Sequence, residues 1–353
     1  TPPPTTATPQ HQPPPPPPPT TNTMNYEVLG IDLGTSKMAL ATARYVKPHE
    51  PRVVTTPGGM KSVPPSVGFR GKSRFVGEAA SMQSRSNATN TVEDVAYHLG
   101  SSEAQAPHDT SPVNQFRRWT LHREGTVPAA KVEYNGATQS FDLRAITAML
   151  FTQARAFQHE ARTREGGEAT KKGEPCCVAL AVPDSYTPEQ VVAVCDAARL
   201  AELEVVAVAT TSECLVSSFA SGRSSNDAEG KEDKESATSI EEVVVFVDIG
   251  HTCTSVSVAT FPSSSSSFNI ASTASSSSLG GRNVDTVLYN HVTATLKEKG
   301  HVVEPRTKPG ASVLRECAKA KKILSSNRET QVFMEQYVDK PRLCCTGWIL
   351  GSW

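Results

Sequence analysis

The hydrophobic pattern of this chain occurs twice. Tyr26–Arg44 is an apolar run, a break and a second apolar run, and Val243–Thr260 repeats the arrangement. An Asp-x-Gly triplet forms the break in both stretches, beginning at Asp32 and at Asp248. Such a pattern predicts a buried strand, a tight turn carrying one carboxylate, and a second antiparallel strand. Because the triplets lie 216 residues apart (248 minus 32), we expect a duplicated fold with a site between the copies.

Between the two hairpins the pattern predicts further strands and helices. Continuous apolar runs predict buried strands at Cys177–Pro183 and Glu204–Ala209. A threonine followed by proline predicts a capped helix over Thr187–Leu200. Apolar residues at helical spacing predict a long amphipathic helix over Phe141–His159. Residues 87–130 show little periodicity and are expected to be irregular.

Chain length and polar segments indicate two lobes with tails. A chain of 353 residues is long for a single core. Eleven of the 26 prolines fall in residues 1–23, which favours a disordered extended tail. We therefore expect the tail 1–23, a first lobe 24–220 ending in a short helix, a polar linker 221–240, an incomplete second lobe 241–340 and a C-terminal tail 341–353.

Composition argues against several classes of partner. The net charge of −1 and the hydrophobic content of 37% indicate neither a nucleic-acid-binding nor a membrane protein. No apolar run approaches the ~18 residues of a spanning helix, and the N-terminus lacks a secretory pattern. The eight cysteines show no metal or redox spacing, which favours thiols in a reducing compartment. We expect a cytoplasmic protein.

The residues at the predicted turns suit phosphate chemistry. Gly34–Ser36 combines glycine with small hydroxyl residues, and such turns leave backbone N–H groups free for phosphate. Asp32 and Asp248, one at each strand end, suit a Mg²⁺ ion held mainly through water. The pair Gly280-Gly281 before a helix allows a close backbone approach from a third side. Each signal alone also fits an ordinary turn, but together they favour a phosphate site.

Four segments carry a family resemblance: Gly30–Ser36 (GIDLGTS), Cys177–Gln190, Leu279–Asp285 (LGGRNVD) and Leu314–Asn327. They resemble the first phosphate motif, the strand–Val-Pro–helix segment, the diglycine and the adenosine-contacting helix of the 70-kDa heat-shock chaperone family. The resemblance implies an α/β fold of the actin-like ATPase class, with two ribonuclease H-like halves. It stops before the last part of the second lobe, and the family's substrate-binding domain and helical lid have no counterpart here.

Two details resemble the 110-kDa branch of that family. His251 stands where the 70-kDa members have glycine, and Arg282-Asn283 stands where they have an acidic pair. Members of the 110-kDa branch are nucleotide exchange factors and holding co-chaperones. The resemblance therefore implies ATP or ADP with Mg²⁺ as ligands, a 70-kDa heat-shock chaperone as partner, and unfolded client proteins as partners of the full-length form.

The resemblance also implies a set of site residues. Lys322 replaces an arginine of the family, which keeps the charge but loses a planar group able to stack on adenine. The metal-side carboxylates are Asp32 and Asp248. The implied nucleotide contacts are Gly34, Thr35, Ser36, Gly250, His251, Thr252, Gly281, Lys321, Lys322 and Ser325.

Departures from the family indicate weak or no hydrolysis. Ala96 stands at the position of a catalytic lysine, which would orient and polarise the attacking water. Thr211 aligns with a metal-side carboxylate, although Glu213 is two residues away and the alignment could be shifted. Ser255 replaces a later aspartate of the second phosphate loop. We expect nucleotide binding without efficient turnover.

Two alternative functions stay open. An active ATP-hydrolysing chaperone of the 70-kDa type would share the fold, but Ala96 and Ser255 count against it. A sugar kinase of the same fold class would need an aspartate base in the first lobe. No aspartate there has motif support, so this alternative ranks last.

Overall fold

The computed structural model describes residues 27–44, 51–100, 111–164, 166, 176–227, 242–262 and 267–332. Both predicted tails lie outside the described residues, as does the predicted linker beyond residue 227. The strands are β1 Glu27–Leu33, β2 Met38–Arg44, β3 Arg52–Val53, β4 Ser62–Val63, β5 Val67–Arg70, β6 Ser73–Val76, β7 Thr91–Val92, β8 Thr120–Glu124, β9 Val127–Tyr134, β10 Ala137–Asp142, β11 Cys176–Val182, β12 Leu203–Thr210, β13 Glu242–Ile249, β14 Thr254–Phe261 and β15 Asn269–Ser276. The helices are α1 Glu78–Gln83, α2 Val95–His98, α3 Pro112–Phe116, α4 Leu143–Arg164, α5 Pro188–Leu200, α6 Thr211–Asp227, α7 Gly281–Glu298 and α8 Lys308–Leu324.

A mixed sheet forms the core of the first lobe. Its strand order is β12-β11-β1-β2-β3, and β4 also pairs with β2. Strands β1, β11 and β12 run parallel, whereas β1 and β2 form the predicted antiparallel hairpin. Leu29, Ile31 and Leu33 of β1 are at most 4% exposed and share one cluster with residues of α4. The predicted strands at β11 and β12 are confirmed.

The helices of the first lobe follow their local signals. The long amphipathic helix is confirmed as α4, although it runs five residues past the predicted His159. The capped helix is confirmed as α5: Thr187 Oγ1 accepts from the Gln190 amide, and the Gln190 side chain accepts from the Thr187 amide. Both signals lie within a few residues of the element they specify, so the sequence alone is enough to place them.

The expectation of irregular structure over residues 87–130 is wrong for residues 87–100 and 111–130, whereas residues 101–110 lie outside the described residues. This stretch contributes β7, α2, α3, β8 and part of β9, and its strands belong to two small sheets ordered β6-β5-β7 and β10-β9-β8. The two sheets meet through Phe69, whose ring lies 4.8 Å from that of Phe141 and 5.3 Å from that of Tyr134. β7 has two residues and pairs with β5, so a local pattern does not show it. In contrast, β8, β9 and β10 are successive hairpins, and the glycine turns at Gly125 and Asn135-Gly136 were a local signal that the prediction missed.

The second hairpin is confirmed, but its first strand is not buried as expected. Strands β13, β14 and β15 form a three-stranded antiparallel sheet. Helix α6 packs on one face through Val216 and Ala220, in a cluster with Ala259 and Phe261 of β14. Val245 and Val247 on the opposite face of β13 are each 58% exposed. Within the described residues, no helix packs on that face and no strand pairs with the outer edge of β13.

Helix α6 corrects the predicted linker. The short helix expected to end at Ala220 continues to Asp227, so residues 221–227 are helical. Its serines and asparagine are typical of loops, which concealed the continuation in the sequence.

Helices α7 and α8 form a pair with its own core. Leu288 and Tyr289 of α7 pack with Val313 and Cys317 of α8. Thr307 caps α8 by accepting from the Gly310 amide at 3.1 Å.

None of the helices in the described part of the chain is long and apolar enough to span a bilayer.

Candidate phosphate-binding cleft

The first turn is closed by its own backbone. The Gly34 amide donates to the Lys37 carbonyl across 3.1 Å, which joins β1 to β2. A Cβ atom on Gly34 would lie 2.8 Å from that carbonyl oxygen, so the turn requires glycine. Asp32, near the end of β1, pairs in register with Ala39 and keeps part of its surface open to solvent.

The second turn repeats this geometry. The Gly250 amide donates to the Cys253 carbonyl at 2.8 Å, and a Cβ atom on Gly250 would meet that oxygen at 3.0 Å. Asp248 pairs in register with Ser255, as Asp32 pairs with Ala39. The two Asp-x-Gly triplets therefore occupy equivalent places in equivalent hairpins.

The two turns touch each other. Thr35 Oγ1 lies 2.8 Å from Thr252 Oγ1, although the residues are 217 positions apart. Thr252 is buried, whereas Ser36 on the first turn is exposed. The tertiary structure thus brings together one carboxylate-bearing turn from each copy, as the internal repeat predicted.

The carboxylate of the first turn is affected by that of the second. The protein atoms surrounding Asp32 raise its pKa by desolvation, the nearby Lys37 ammonium opposes this, and the negative charge of Asp248 adds to it. A divalent cation between the turns would relieve this repulsion. In the part of the chain that the structure describes, no three His, Cys, Asp or Glu side chains converge as a direct metal site. Two carboxylates suit a Mg²⁺ ion that keeps most of its water ligands.

The start of α7 forms a third side of the cleft. The Gly281 amide donates to the Gly250 carbonyl at 2.9 Å, and the Arg282 amide donates to the His251 carbonyl at 2.7 Å. A Cβ atom on Gly280 would lie 2.7 Å from the His251 carbonyl oxygen. The diglycine therefore lets α7 approach the second turn closely. Because the Gly281 amide already donates within the protein, it is not free to donate to a phosphate.

The predicted residues of α8 divide into two groups. Lys321 Nζ lies 2.7 Å from Asp285 Oδ1 and donates to the Gly281 carbonyl at 2.9 Å, so its ammonium borders the third side of the cleft. Lys322 and Ser325 are exposed at the end of the helix, where the Ser325 hydroxyl donates to the Lys322 carbonyl. Of these three residues, Lys321 is the one linked by direct contacts to the start of α7.

His251 is a neutral, partly buried side chain of the second turn. Burial, followed by the positive charge of Arg282, lowers the pKa of His251 to about 4. Its imidazole is therefore neutral near pH 7 and can donate one N–H without adding positive charge.

The three positions at which the sequence departs from the resemblance are occupied by Ala96, Thr211 and Ser255. Ala96 is 2% exposed, and its carbonyl accepts from the Tyr186 hydroxyl at 2.5 Å. The Thr211 hydroxyl donates to the Val182 carbonyl, and Ser255 is buried. Glu213 accepts from the Thr210 amide at 2.7 Å, so it caps α6.

Sequence reasoning missed one carboxylate near the cleft. Asp184 follows β11 and accepts from the Ser212 amide at 3.3 Å, at the start of α6. Neighbouring protein atoms raise the pKa of the partly exposed Cys214 thiol by desolvation, and the negative charges of Glu213, Asp32 and Asp184 add to this. The position of Asp184 directly after a buried strand was the available signal, because parallel strands end at a common edge.

This arrangement defines an actin-like ATPase fold, in which two α/β halves place like turns around one cleft. A sequence model of the family described as "Hsp70 protein" matches residues 28–339. The chain therefore belongs to the 70-kDa heat-shock protein family. The predicted family and fold class are confirmed.

Individual relatives agree with the predicted resemblance to the 110-kDa branch. A heat shock protein homologue of Eremothecium gossypii is 29% identical over 299 residues, which cover 84% of this chain and 40% of the relative. A heat shock protein homologue of Saccharomyces cerevisiae is 28% identical over 312 residues, or 88% of this chain and 42% of the relative. "Heat shock 70 kDa protein 16" of Arabidopsis thaliana is 28% identical over 309 residues, which cover 87% of this chain and 37% of the relative. The chain thus spans about two fifths of these relatives' length.

Proposed function

We propose that this chain binds ATP or ADP with Mg²⁺, hydrolyses ATP weakly or not at all, and acts as an exchange factor for a 70-kDa chaperone. The observation that carries nucleotide binding is the contact between the two turns through Thr35 and Thr252. In this proposal Asp32 and Asp248 hold the hydrated metal ion. The nucleotide contacts are Thr35, Ser36, His251, Thr252, Lys321, Lys322 and Ser325. Gly34, Gly250 and Gly281 contribute by allowing a close approach, because the amides of all three already donate within the protein.

The proposal of weak hydrolysis rests on three side chains, Ala96, Thr211 and Ser255, that stand where the resemblance implies catalytic or metal-side groups. An attacking water needs a group that orients and polarises it, and the methyl group of Ala96 can do neither. Thr211 and Ser255 provide hydroxyls where carboxylates would assist a metal or a water. The residues that remain can bind and orient phosphate, so binding and turnover are separable.

Titration calorimetry with Mg-ATP tests the binding step. We expect heat of binding from the unmodified chain and none from Gly34→Ala, because the added Cβ forces the first turn apart. Gly222→Ala is the matched control, since a Cβ there meets no neighbouring atom within 4 Å. If the unmodified chain gives no heat, or if Gly34→Ala binds equally well, the proposed site is wrong.

Single-turnover hydrolysis separates this proposal from the active 70-kDa-type alternative. We expect a rate at or only slightly above that of buffer with Mg-ATP. A rate well above that of buffer, lowered by Asp32→Asn, would establish the alternative instead.

The exchange role has its own assay. Release of labelled ADP from a 70-kDa chaperone should become faster when this chain is added. If the rate does not change, the exchange role is excluded, whatever calorimetry shows.

Several broader assignments belong to the same proposal. We assign residues 24–220 and 241–340 to the two lobes of a nucleotide-binding domain, with α6 at the boundary packing on the sheet of the second lobe. We assign unfolded clients to the full-length form. A cytoplasmic location is supported by six cysteines that form no disulfide within the described residues.

A further inference from the structure

An ion pair joins the two lobes beside the phosphate turns. Arg282 Nη2, in the first turn of α7, lies 3.2 Å from Asp94 Oδ2 and 3.4 Å from Asp94 Oδ1. The side chain of Arg282 is only 14% exposed to solvent and that of Asp94 only 19%. Because little water reaches the pair, its attraction is screened less than that of a surface pair.

Both partners of this pair are fixed by their backbones. Asp94 directly precedes α2 and has φ 55, a left-handed conformation that aspartate and asparagine tolerate. The Arg282 amide donates to His251 and the preceding Gly281 amide donates to Gly250. A movement of Arg282 away from the first lobe would therefore displace the second turn as well.

A second contact between the lobes supports the same closed arrangement. The ring of Phe116 in α3 lies 4.8 Å from that of Tyr289 in α7, at 77° to it. Arg306 Nη2 donates to the Asn114 carbonyl of α3 at 3.1 Å. Phe116 is 8% exposed and belongs to the core cluster of α7 and α8, so part of the first lobe is packed into the second.

We propose that the Asp94–Arg282 ion pair is an interlobe latch, which holds the cleft closed without nucleotide and slows the release of a bound nucleotide. The first effect depends only on the contacts between the lobes. The second rests on the proposed nucleotide site.

Hydrogen exchange of the chain without nucleotide tests the first effect. Asp94→Asn keeps the shape of the side chain and removes its charge, and asparagine tolerates the left-handed backbone conformation of residue 94 as aspartate does. We expect amides of residues 279–285 and 250–253 to exchange about tenfold faster in Asp94→Asn and in Arg282→Gln, because each leaves a poorly hydrated charge without its partner. Arg282→Lys should restore part of the protection, since it keeps the positive charge.

A double variant and a control make the result specific to the pair. Asp94→Asn combined with Arg282→Gln should exchange no faster than either single variant, because both remove the same interaction. Lys319→Gln breaks an ion pair with Glu316 of similar length inside α8, and should leave exchange in both segments unchanged. Wild-type exchange in Asp94→Asn would overturn the latch, as would fully additive effects in the double variant.

Release of a fluorescent ATP analogue tests the second effect. We expect about tenfold faster release from Asp94→Asn than from the unmodified chain, if the same interaction is lost in opening the cleft. If Asp94→Asn speeds hydrogen exchange but leaves release of the analogue unchanged, the ion pair does not control release. It would then still hold the lobes together without nucleotide. If the unmodified chain binds no analogue, the proposed function fails, while the exchange experiment still decides whether the latch exists.

Discussion

The two copies of the hairpin have similar sequences and very different surroundings. Strand β1 has neighbours on both edges, β11 and β2, whereas among the described residues β13 pairs with β14 alone. Ile31 directly precedes the aspartate of β1 and is 2% exposed, but Val247, which directly precedes the aspartate of β13, is 58% exposed. An apolar run therefore specifies a strand, and the elements packed around it decide whether that strand is buried.

The largest expected effect compares a charge placed on each strand. Ile31→Lys should destabilise the chain by about 4 kcal/mol or more, because it buries an unpaired charge. Val247→Lys should change the free energy of unfolding by less than about 0.5 kcal/mol, as exposed substitutions do. Urea unfolding followed by circular dichroism measures both. Similar losses would mean that the outer face of β13 is covered in solution.

Acid should lower the free energy of unfolding through one histidine of each lobe, His98 in the first and His251 in the second. The pKa of His98 is lowered to about 3 and that of His251 to about 4, in both cases mainly by burial. Both folded values lie below the usual 6.5, so the stability due to each neutral ring is complete above pH 6.5 and is lost as the pH falls. At pH 5 each should cost about 2 kcal/mol.

Urea unfolding at intervals from pH 7 down to about pH 3 measures this dependence. His98→Asn and His251→Asn should each flatten it by the contribution of one ring. Below pH 4 the His251 contribution should stop growing, while that of His98 continues towards pH 3. A slope that neither variant alters would show that the acid sensitivity has another origin.

The two turns should respond differently to an added methyl group. Gly34→Ala places Cβ 2.8 Å from a backbone oxygen, and Gly250→Ala places it at 3.0 Å. Overpacking of this kind should cost about 1–2 kcal/mol, with the larger loss at Gly34. Thermal unfolding compares both variants with Gly222→Ala, which has open space. A larger loss at Gly250 would contradict the order of the two contacts.

The smallest effects concern one helix cap in each lobe. Thr187→Ala removes one bond of the cap of α5, and the Gln190 side chain still accepts from the backbone. Thr307→Ala removes the cap of α8 and also the bond from its hydroxyl to the Glu304 carbonyl at 2.6 Å. We expect losses of about 0.5–1 kcal/mol and about 1–1.5 kcal/mol respectively. Urea unfolding resolves the difference, and the reverse order would show that Gln190 contributes little.

The site could be predicted in part. The Asp-x-Gly triplets placed Asp32 and Asp248 correctly at strand ends, because a tight turn after an apolar run has a local signature. The hydrogen bond from the Gly281 amide to Gly250 and the ion pair of Arg282 with Asp94 could not be seen. These partners are distant in sequence, and nothing in a local pattern records which of them meet.

The sequence by itself determined the hairpins, the capped helix at Thr187 and the family of the chain, since periodicity, turn residues and caps act over a few residues. Only the tertiary structure decided that Thr35 reaches Thr252, that β7 pairs with β5, and that Val247 stays exposed. The physical reason is the same for all three. Burial and contact between lobes depend on elements far along the chain, whose packing outweighs local preference.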